Sequence, residues 1–420
     1  MKEKRLLAIL SRYLWPIDGG RKESLNHYFK ELHDNYGYDI RLMCFMEYGQ
    51  KSSDKDFPYY VEDVVILKEV PKTEKLRNVF IKSLGKSQWP FQCSFYYSKE
   101  NFDTIKQFVD SWKPTVIFTE MIRTCTYIDA FKDSGALLLA NLDDLLSTRY
   151  LRQSDSAKSK ASFAGSYSNK LPKLVTRMMN SGMLRRNILK MESKRCYKWE
   201  REFYKEYDFS LMTSNVERDI LNDEMKNTKA KTLSVGIDYE YYSQKIAVEK
   251  DMLGVSYLGN FNVAANADTL DMIVNDILPY IQSDYRFYII GKCPDYIVNK
   301  YKKNNKLIFC GRVDDLRLYI KKTTVFLAPI AYGTGVKTKI VEAMAMNMPV
   351  VTNSVGAEGI YAEHGTEYIV HDDPKEIARA VDKLLKDQKL AEEIGRNAGV
   401  FAYENFRWDK VLAVYSELGV

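Results

Sequence analysis

Between Val325 and Ile360 the chain reads VFLAPIAYGTGVKTKIVEAMAMNMPVVTNSVGAEGI. This stretch constrains the fold more than any other. VFLAP is an apolar run closed by a proline, as a buried strand is. Gly333 and Gly335 follow, where a backbone turns sharply or comes close to a ligand. KIVEAMAM is built of strong helix formers around one carboxylate, Glu342, and MPVVTN is a second buried strand. A glycine turn leading into a helix N-terminus offers N–H groups to an anion. Lys337 and Lys339 add positive charge there. Glu342, about a turn further on, repels phosphate, so its natural partner is a diol such as a ribose.

The same alternation runs through the chain. RLLAILSRY, DIRLMCFM, KPTVIFTE and GALLLANLDD read as strands in the first half, with the helical pattern SLNHYFKELHDNYG after the first. VSYLGNF, DYRFYIIGK, KLIFCGRV, TVFLAPI, MPVVTNS and EYIV read as six more. Strands alternating with amphipathic helices predict an α/β protein with parallel sheets. At 420 residues the prior is two domains.

Bulk properties exclude several classes. With 45% hydrophobic and 28% charged residues the chain is globular, and a net charge of +6 is too weak to point to nucleic acid. Six cysteines without a CxxC pair or regular spacing suggest reduced thiols in a cytosol. Four histidines show no metal-binding spacing, so no metal is expected. The N-terminal MKEKRLLAILSRYLW has too short an apolar run for a signal peptide, and no run reaches the length of a spanning helix.

The block EAMAMNMPVV, from Glu342 to Val351, resembles the donor-nucleotide motif of the retaining GT-B glycosyltransferases of the family-four type, glycosyl transferases group 1. That motif usually carries glycine at the place of Asn347. Asparagine is the next most tolerant residue in the left-handed conformation at a helix end, so the departure is mild. The resemblance implies two Rossmann-like domains facing across a cleft: residues 1–234 for the acceptor and 235–404 for the donor. The helix 405–420 crosses back onto the first. LDDLLSTRY and the segment 194–221 resemble a subgroup that assembles bacterial surface polysaccharides.

Such an enzyme moves a sugar from a nucleotide-sugar to a carbohydrate acceptor, here a glycan or a lipid-linked oligosaccharide. The resemblance places Gly335, Lys337, Thr338, Lys339, Glu342, Arg312 and Val313 around the donor, with Glu342 on the ribose hydroxyls. Basic side chains take the place of a metal at the leaving diphosphate, and no cofactor is expected. Two departures stand out. Many members carry a second glutamate, touching the donor sugar, where this chain has Thr334. Many carry an arginine where this chain has Asn260. Lys337 and Lys339 either replace that charge or leave the site weakened.

In the first half, Gly19 and Gly20 either approach the donor phosphate or acceptor, or simply turn the chain. Asp143 and Asp144, with Arg149 nearby, follow a strand end. They either orient an acceptor hydroxyl or cap a helix. With Thr334 they are the candidates for the chemistry, and no nucleophile stands out. Two alternatives share these features: a nucleotide-sugar epimerase and a non-catalytic subunit of a polysaccharide-assembly complex.

Residues 149–201 hold 14 Lys and Arg against three acidic residues. Within them, Lys173, Arg177, Arg185 and Arg186 flank an apolar stripe. Such a segment either lies on an anionic membrane surface or packs its apolar side into the core. The sequence KTEKLRNVFIKSLGKSQW is a second, shorter basic stretch pointing to a membrane. The setting expected is the cytoplasm, at the inner face of the cell membrane if the acceptor is lipid-linked.

Overall fold

The apolar runs fold into two parallel sheets in the computed structural model, which describes residues 4–17, 19–46, 57–155 and 182–420. Of the four basic residues that flank the apolar stripe, Lys173 and Arg177 lie outside the described residues.

The first unit comprises Met1–Leu151, Arg186–Ser234 and Leu412–Val420. Its seven strands are β1 (Arg5–Leu10), β2 (Asp39–Phe45), β3 (Asp63–Leu67), β4 (Val116–Glu120), β5 (Leu137–Asp143), β6 (Phe209–Met212) and β7 (Ala230–Thr232). They lie in the order β3-β2-β1-β4-β5-β6-β7, every pair parallel. The centre is apolar on both faces: β4 is buried along its whole length, and Leu6, Ile9, Ile117 and Phe118 have no exposure. That explains why β1 and β4 read as continuous apolar runs rather than alternating ones.

The second unit comprises Val235–Val411 with Arg152–Arg185. Its strands are β8 (Gly254–Leu258), β9 (Arg286–Ile290), β10 (Leu307–Gly311), β11 (Val325–Leu327), β12 (Val350–Thr352) and β13 (Ile369–Val370), matching the six apolar runs of the sequence. Their order is β10-β9-β8-β11-β12-β13, all parallel. Both sheets therefore run outward from the first strand in one direction and from the fourth in the other. The chain reverses its direction of winding between β1 and β4, and again between β8 and β11. In open α/β sheets ligands bind beyond the carboxyl ends of the strands at such a point.

The C-terminus differs from the single helix expected over 405–420. The helix Gln388–Asn405 ends at Phe406, and two short turns follow, Trp408–Val411 and Val414–Glu417. The break lets Arg407 bridge to Ile237, while Leu412–Val420 belongs to the first unit. There Tyr415 is fully buried against the edge of Tyr36, and Ser416 Oγ lies 3.0 Å from Tyr36 Oη.

Candidate active site

The glycine turn of the second unit leaves β11 at the winding reversal. Its backbone is pinned on both sides. Ala331 N–H donates to Thr269 Oγ1 at 3.1 Å and Tyr332 Oη to Asp268 at 2.9 Å. Ile330 and Asn353 exchange two bonds of 2.9 Å. Gly335 has φ of +68°, a conformation that only glycine adopts without strain. The helix Thr338–Ala345 then starts with no side-chain cap on its first turn among the described residues. Uncapped first-turn N–H groups and the positive end of the helix dipole both favour an anion.

Lys337 and Lys339 occupy different positions around this turn. Lys337 folds back, its ammonium donating to the Thr334 carbonyl at 3.2 Å and to the Gly335 carbonyl. Lys339 reaches across to β8 and the helix after it. Its Nζ donates to Asn266 Oδ1 at 2.7 Å and to Tyr257 Oη at 3.3 Å, and lies over the Tyr257 ring. Burial pulls its pKa down to about 8, opposed by Glu342 and aided by Lys337. An ammonium has three N–H bonds, and the described residues take two of those of Lys339. Glu342 is half-buried one turn along the same helix, within electrostatic reach of Lys339. Thr334 and Thr338 are partly exposed at the turn.

The helix ends in a Schellman arrangement. Met348 N–H donates to the Ala343 carbonyl and Asn347 N–H to that of Met344, with Asn347 at φ of +57°. Asparagine thus occupies the left-handed position expected of it. The same end packs tightly on the helix Gln388–Asn405, where a Cβ at Gly395 would run into the Asn347 carbonyl oxygen.

Arg312 and Val313 follow β10, the edge strand of this sheet. Arg312 is exposed on the same carboxyl side, but two strands from β8, so roughly 10 Å across the sheet. The structure does not gather it with the two lysines. Asn260 is exposed and turned onto its own loop, its Oδ1 accepting from Asn262 N–H at 3.1 Å. A cation that sequence reasoning missed sits at the turn instead: Arg152 donates to the Gly333 carbonyl at 2.8 Å and pairs with Glu358 at 2.6 Å. Arg185, also of the second unit, is partly buried, with Tyr332 and Asp268 acting on its charge. Arg186 is exposed.

The winding reversal of the first unit holds a second charged cluster. Glu120, at the end of β4, has no exposure. Ser11 N–H donates to it at 2.9 Å and Ser11 Oγ also bonds it; Arg21 and Arg12 lie 3.4 and 3.6 Å away. Burial alone would raise its pKa, but Arg12, Arg21, Arg123 and Ser11 outweigh it and hold the carboxyl at about 2. Arg21 also contacts Asp143 Oδ1 at 2.9 Å. Asp143 is raised from the usual carboxylate range by burial, with Arg21 opposing. Met121 and Asp143 both take positive φ, +61° and +71°. Two non-glycine residues in this region at adjacent strand ends are strained, a pattern that clusters at functional sites.

Of the two readings of Asp143 and Asp144, the structure turns Asp143 to Arg21 and pairs Asp144 with Arg149. The N–H groups of Leu145 and Ser147 donate elsewhere, to Glu217 at 2.8 Å and Glu200 at 3.0 Å. Gly19 and Gly20 open the helix Gly20–Asp34, Gly19 in extended backbone with open space where a Cβ would stand. Neither sterics nor strain requires glycine at position 19. Among the described residues no group of three His, Cys, Asp or Glu is placed to hold a metal, and no helix is long and apolar enough to cross a membrane.

Two Rossmann-like units of parallel strands, with GT-B structures as neighbours over nearly the whole chain, give the fold as GT-B. Residues 253–387 match the family described as glycosyl transferases group 1. That range includes the whole glycine turn and its helix. The chain is 27% identical over 170 residues to an uncharacterized 44.6 kDa protein in the cps region of Klebsiella pneumoniae, covering 38% of this chain and 44% of the relative. It is 28% identical over 120 residues to the capsular polysaccharide biosynthesis glycosyltransferase CapM of Staphylococcus aureus, covering 27% and 31%. The matches thus span less than half the length of these two relatives. Among solved structures, HepE of Anabaena in complex with UDP and glucose superposes with a TM-score of 0.64 at 12% identity, over 98% of both chains.

Proposed function

We propose that this protein is a glycosyltransferase that moves a sugar from a nucleotide-sugar to a carbohydrate acceptor in the assembly of a bacterial surface polysaccharide, with retention at the anomeric carbon. One observation carries the reading. The glycine turn at the winding reversal of the matched domain joins a helix N-terminus with no side-chain cap among the described residues, two lysines and a glutamate one turn apart. Transfer breaks the bond between the sugar and the diphosphate, and charge develops on the departing oxygen. Fixed donors aimed at that charge lower the barrier. Lys339, the turn N–H groups, Thr338 and Gly335 are the residues we assign to the diphosphate, with Lys337 holding the turn in shape. Glu342 takes the ribose hydroxyls, and Arg312 with Val313 the base side. Lys339 and the turn N–H groups do the work of a metal, so no cofactor is required. In the first unit we assign Asp143 to the acceptor hydroxyl, its orientation set by Arg21. The capsular relative and the cps-region relative support a polysaccharide setting, and a lipid-linked acceptor fits it.

A thermal-shift series against UDP, GDP, dTDP, CDP and ADP, run in EDTA, tests the reading. A ligand that binds only the folded chain raises its melting temperature with concentration. A shift with one nucleoside diphosphate is expected. No shift with any of them, with or without added metal, would remove the donor site.

A further inference from the structure

We propose that one face of the first unit, built from residues 72–88 and residues 186–206 of the helix Gly182–Glu206, docks on an anionic membrane surface.

The segment is helical over Lys72–Asn78 and continues as a π-helical turn, Val79–Ser83. Leu76, Phe80, Ile81 and Leu84 are 58, 66, 63 and 56% exposed. Soluble proteins expose single apolar side chains routinely, but four large ones on one short helical face mark an interaction surface. The opposite face is anchored. Asn78 donates to the carbonyls of Ser94 and Tyr97, and Ser83 bonds Ser94. The exposed residues are therefore held outward on a fixed support.

The end of this segment packs on the long helix. Trp199 Nε1 donates to the carbonyls of Ser87 and Gln88 at 3.2 Å, and Trp89 packs edge-on against Trp199. Lys190, Lys194 and Lys198 recur every fourth residue along that helix and, with Gln88, line an open pocket of about 490 Å³. Lys72 and Lys86 are exposed on the neighbouring segment. The nearby carboxylates Glu69 and Glu74 are already paired, with Lys75 and Arg77.

An apolar ridge bordered by lysines selects its partner by charge. A neutral protein surface satisfies the ridge and not the lysines. A bilayer with anionic headgroups satisfies both: the ridge enters the acyl boundary while the lysines stay at phosphate level. None of these residues belongs to the donor site, so the proposal stands apart from the function above. The proposed face includes the second basic stretch of the sequence; in the first, Arg185 is partly buried and Arg186 exposed.

Co-sedimentation of the full-length protein with vesicles of phosphatidylcholine, alone or with phosphatidylglycerol, tests this. Binding is expected only to the anionic vesicles and should weaken with salt. Phe80→Ser combined with Ile81→Ser, and Lys194→Glu combined with Lys198→Glu, should each lower binding by about tenfold or more. The UDP-induced thermal shift, or the shift with whichever nucleotide binds, should persist in both variants. Wild-type protein that ignores anionic vesicles would overturn the proposal. So would variants that bind as well as wild type. A wild-type dimer made monomeric by the Phe80/Ile81 change would assign the face to a second copy and also overturn it.

Discussion

Arg21 holds two carboxylates at once: its Nη1 lies 2.9 Å from Asp143 Oδ1 and its Nε 3.4 Å from Glu120 Oε1. Glu120 has further partners in Arg12 and Ser11, whereas Arg21 is the nearest cation drawn onto Asp143. Replacing Arg21 with methionine removes that shared partner from one fully buried and one partly buried acid. The loss is expected to be about 3 kcal/mol of unfolding free energy, read from urea denaturation. Asp143→Asn keeps the shape and removes the charge. It should lower turnover by roughly 100-fold without changing nucleotide affinity. A parallel loss of nucleotide affinity would remove Asp143 from the acceptor side.

Stability should depend on pH in two opposite ways. Glu120 falls from an ordinary glutamate value to about 2 on folding. Its contribution, on the order of 3 kcal/mol, is present above pH 4.5 and is lost as pH falls toward 2. Glu200 and Glu192 behave in reverse: burial pushes each up to about 7. Their contribution is complete below pH 4.5 and is lost as pH rises through 7. Glu200 accepts from Ser147 N–H at 3.0 Å, a bond that Gln retains through its carbonyl oxygen. The stability gap between wild type and Glu200→Gln should therefore narrow or invert from pH 5 to pH 8, while that for Glu120→Gln should widen from pH 2 to pH 5. Parallel curves would refute both assignments.

The two lysines of the glycine turn should separate. Lys339→Ala removes a cation aimed across the turn and should weaken nucleoside diphosphate binding by about tenfold or more, with little effect on the nucleoside. Because the Lys339 pKa lies at about 8, diphosphate affinity of the wild type should fall as pH rises past 8. Lys337 bonds carbonyls of its own turn, so Lys337→Ala should loosen the turn and affect nucleoside and diphosphate alike. Calorimetric titration with UDP and uridine, or the matching pair for another base, distinguishes the two.

Glu342→Ala should weaken binding of the nucleoside diphosphate and leave inorganic pyrophosphate unaffected, since only the ribose contact is lost. Gln in its place should recover part of the affinity by keeping one acceptor oxygen. Equal weakening of both ligands would place Glu342 on the phosphates' support rather than on the ribose.

The end of the same helix is sensitive to backbone shape. Asn347→Gly keeps the left-handed conformation and should be neutral within about 0.5 kcal/mol, whereas Asn347→Val should cost roughly 1–2 kcal/mol. Gly395→Ala pushes a methyl group into the Asn347 carbonyl and should cost about 1–3 kcal/mol. Chemical denaturation measures all three.

The sequence by itself determined the parallel α/β architecture, because strands buried on both faces must be apolar throughout and their helices amphipathic. It also marked the glycine turn, Lys337, Lys339, Glu342 and the left-handed Asn347, all neighbours along one short segment where local geometry decides position. Short or partly exposed strands such as β3 and β7 were not legible, since three to five residues carry too little pattern. Only the tertiary structure brought Glu120 to Ser11 and Arg21, about a hundred residues away in the chain, by pairing β4 with β1. It alone set Arg152 on the Gly333 carbonyl and left Arg312 two strands from β8. Those relations depend on strand order across a sheet, and no spacing in the chain encodes which strand ends meet.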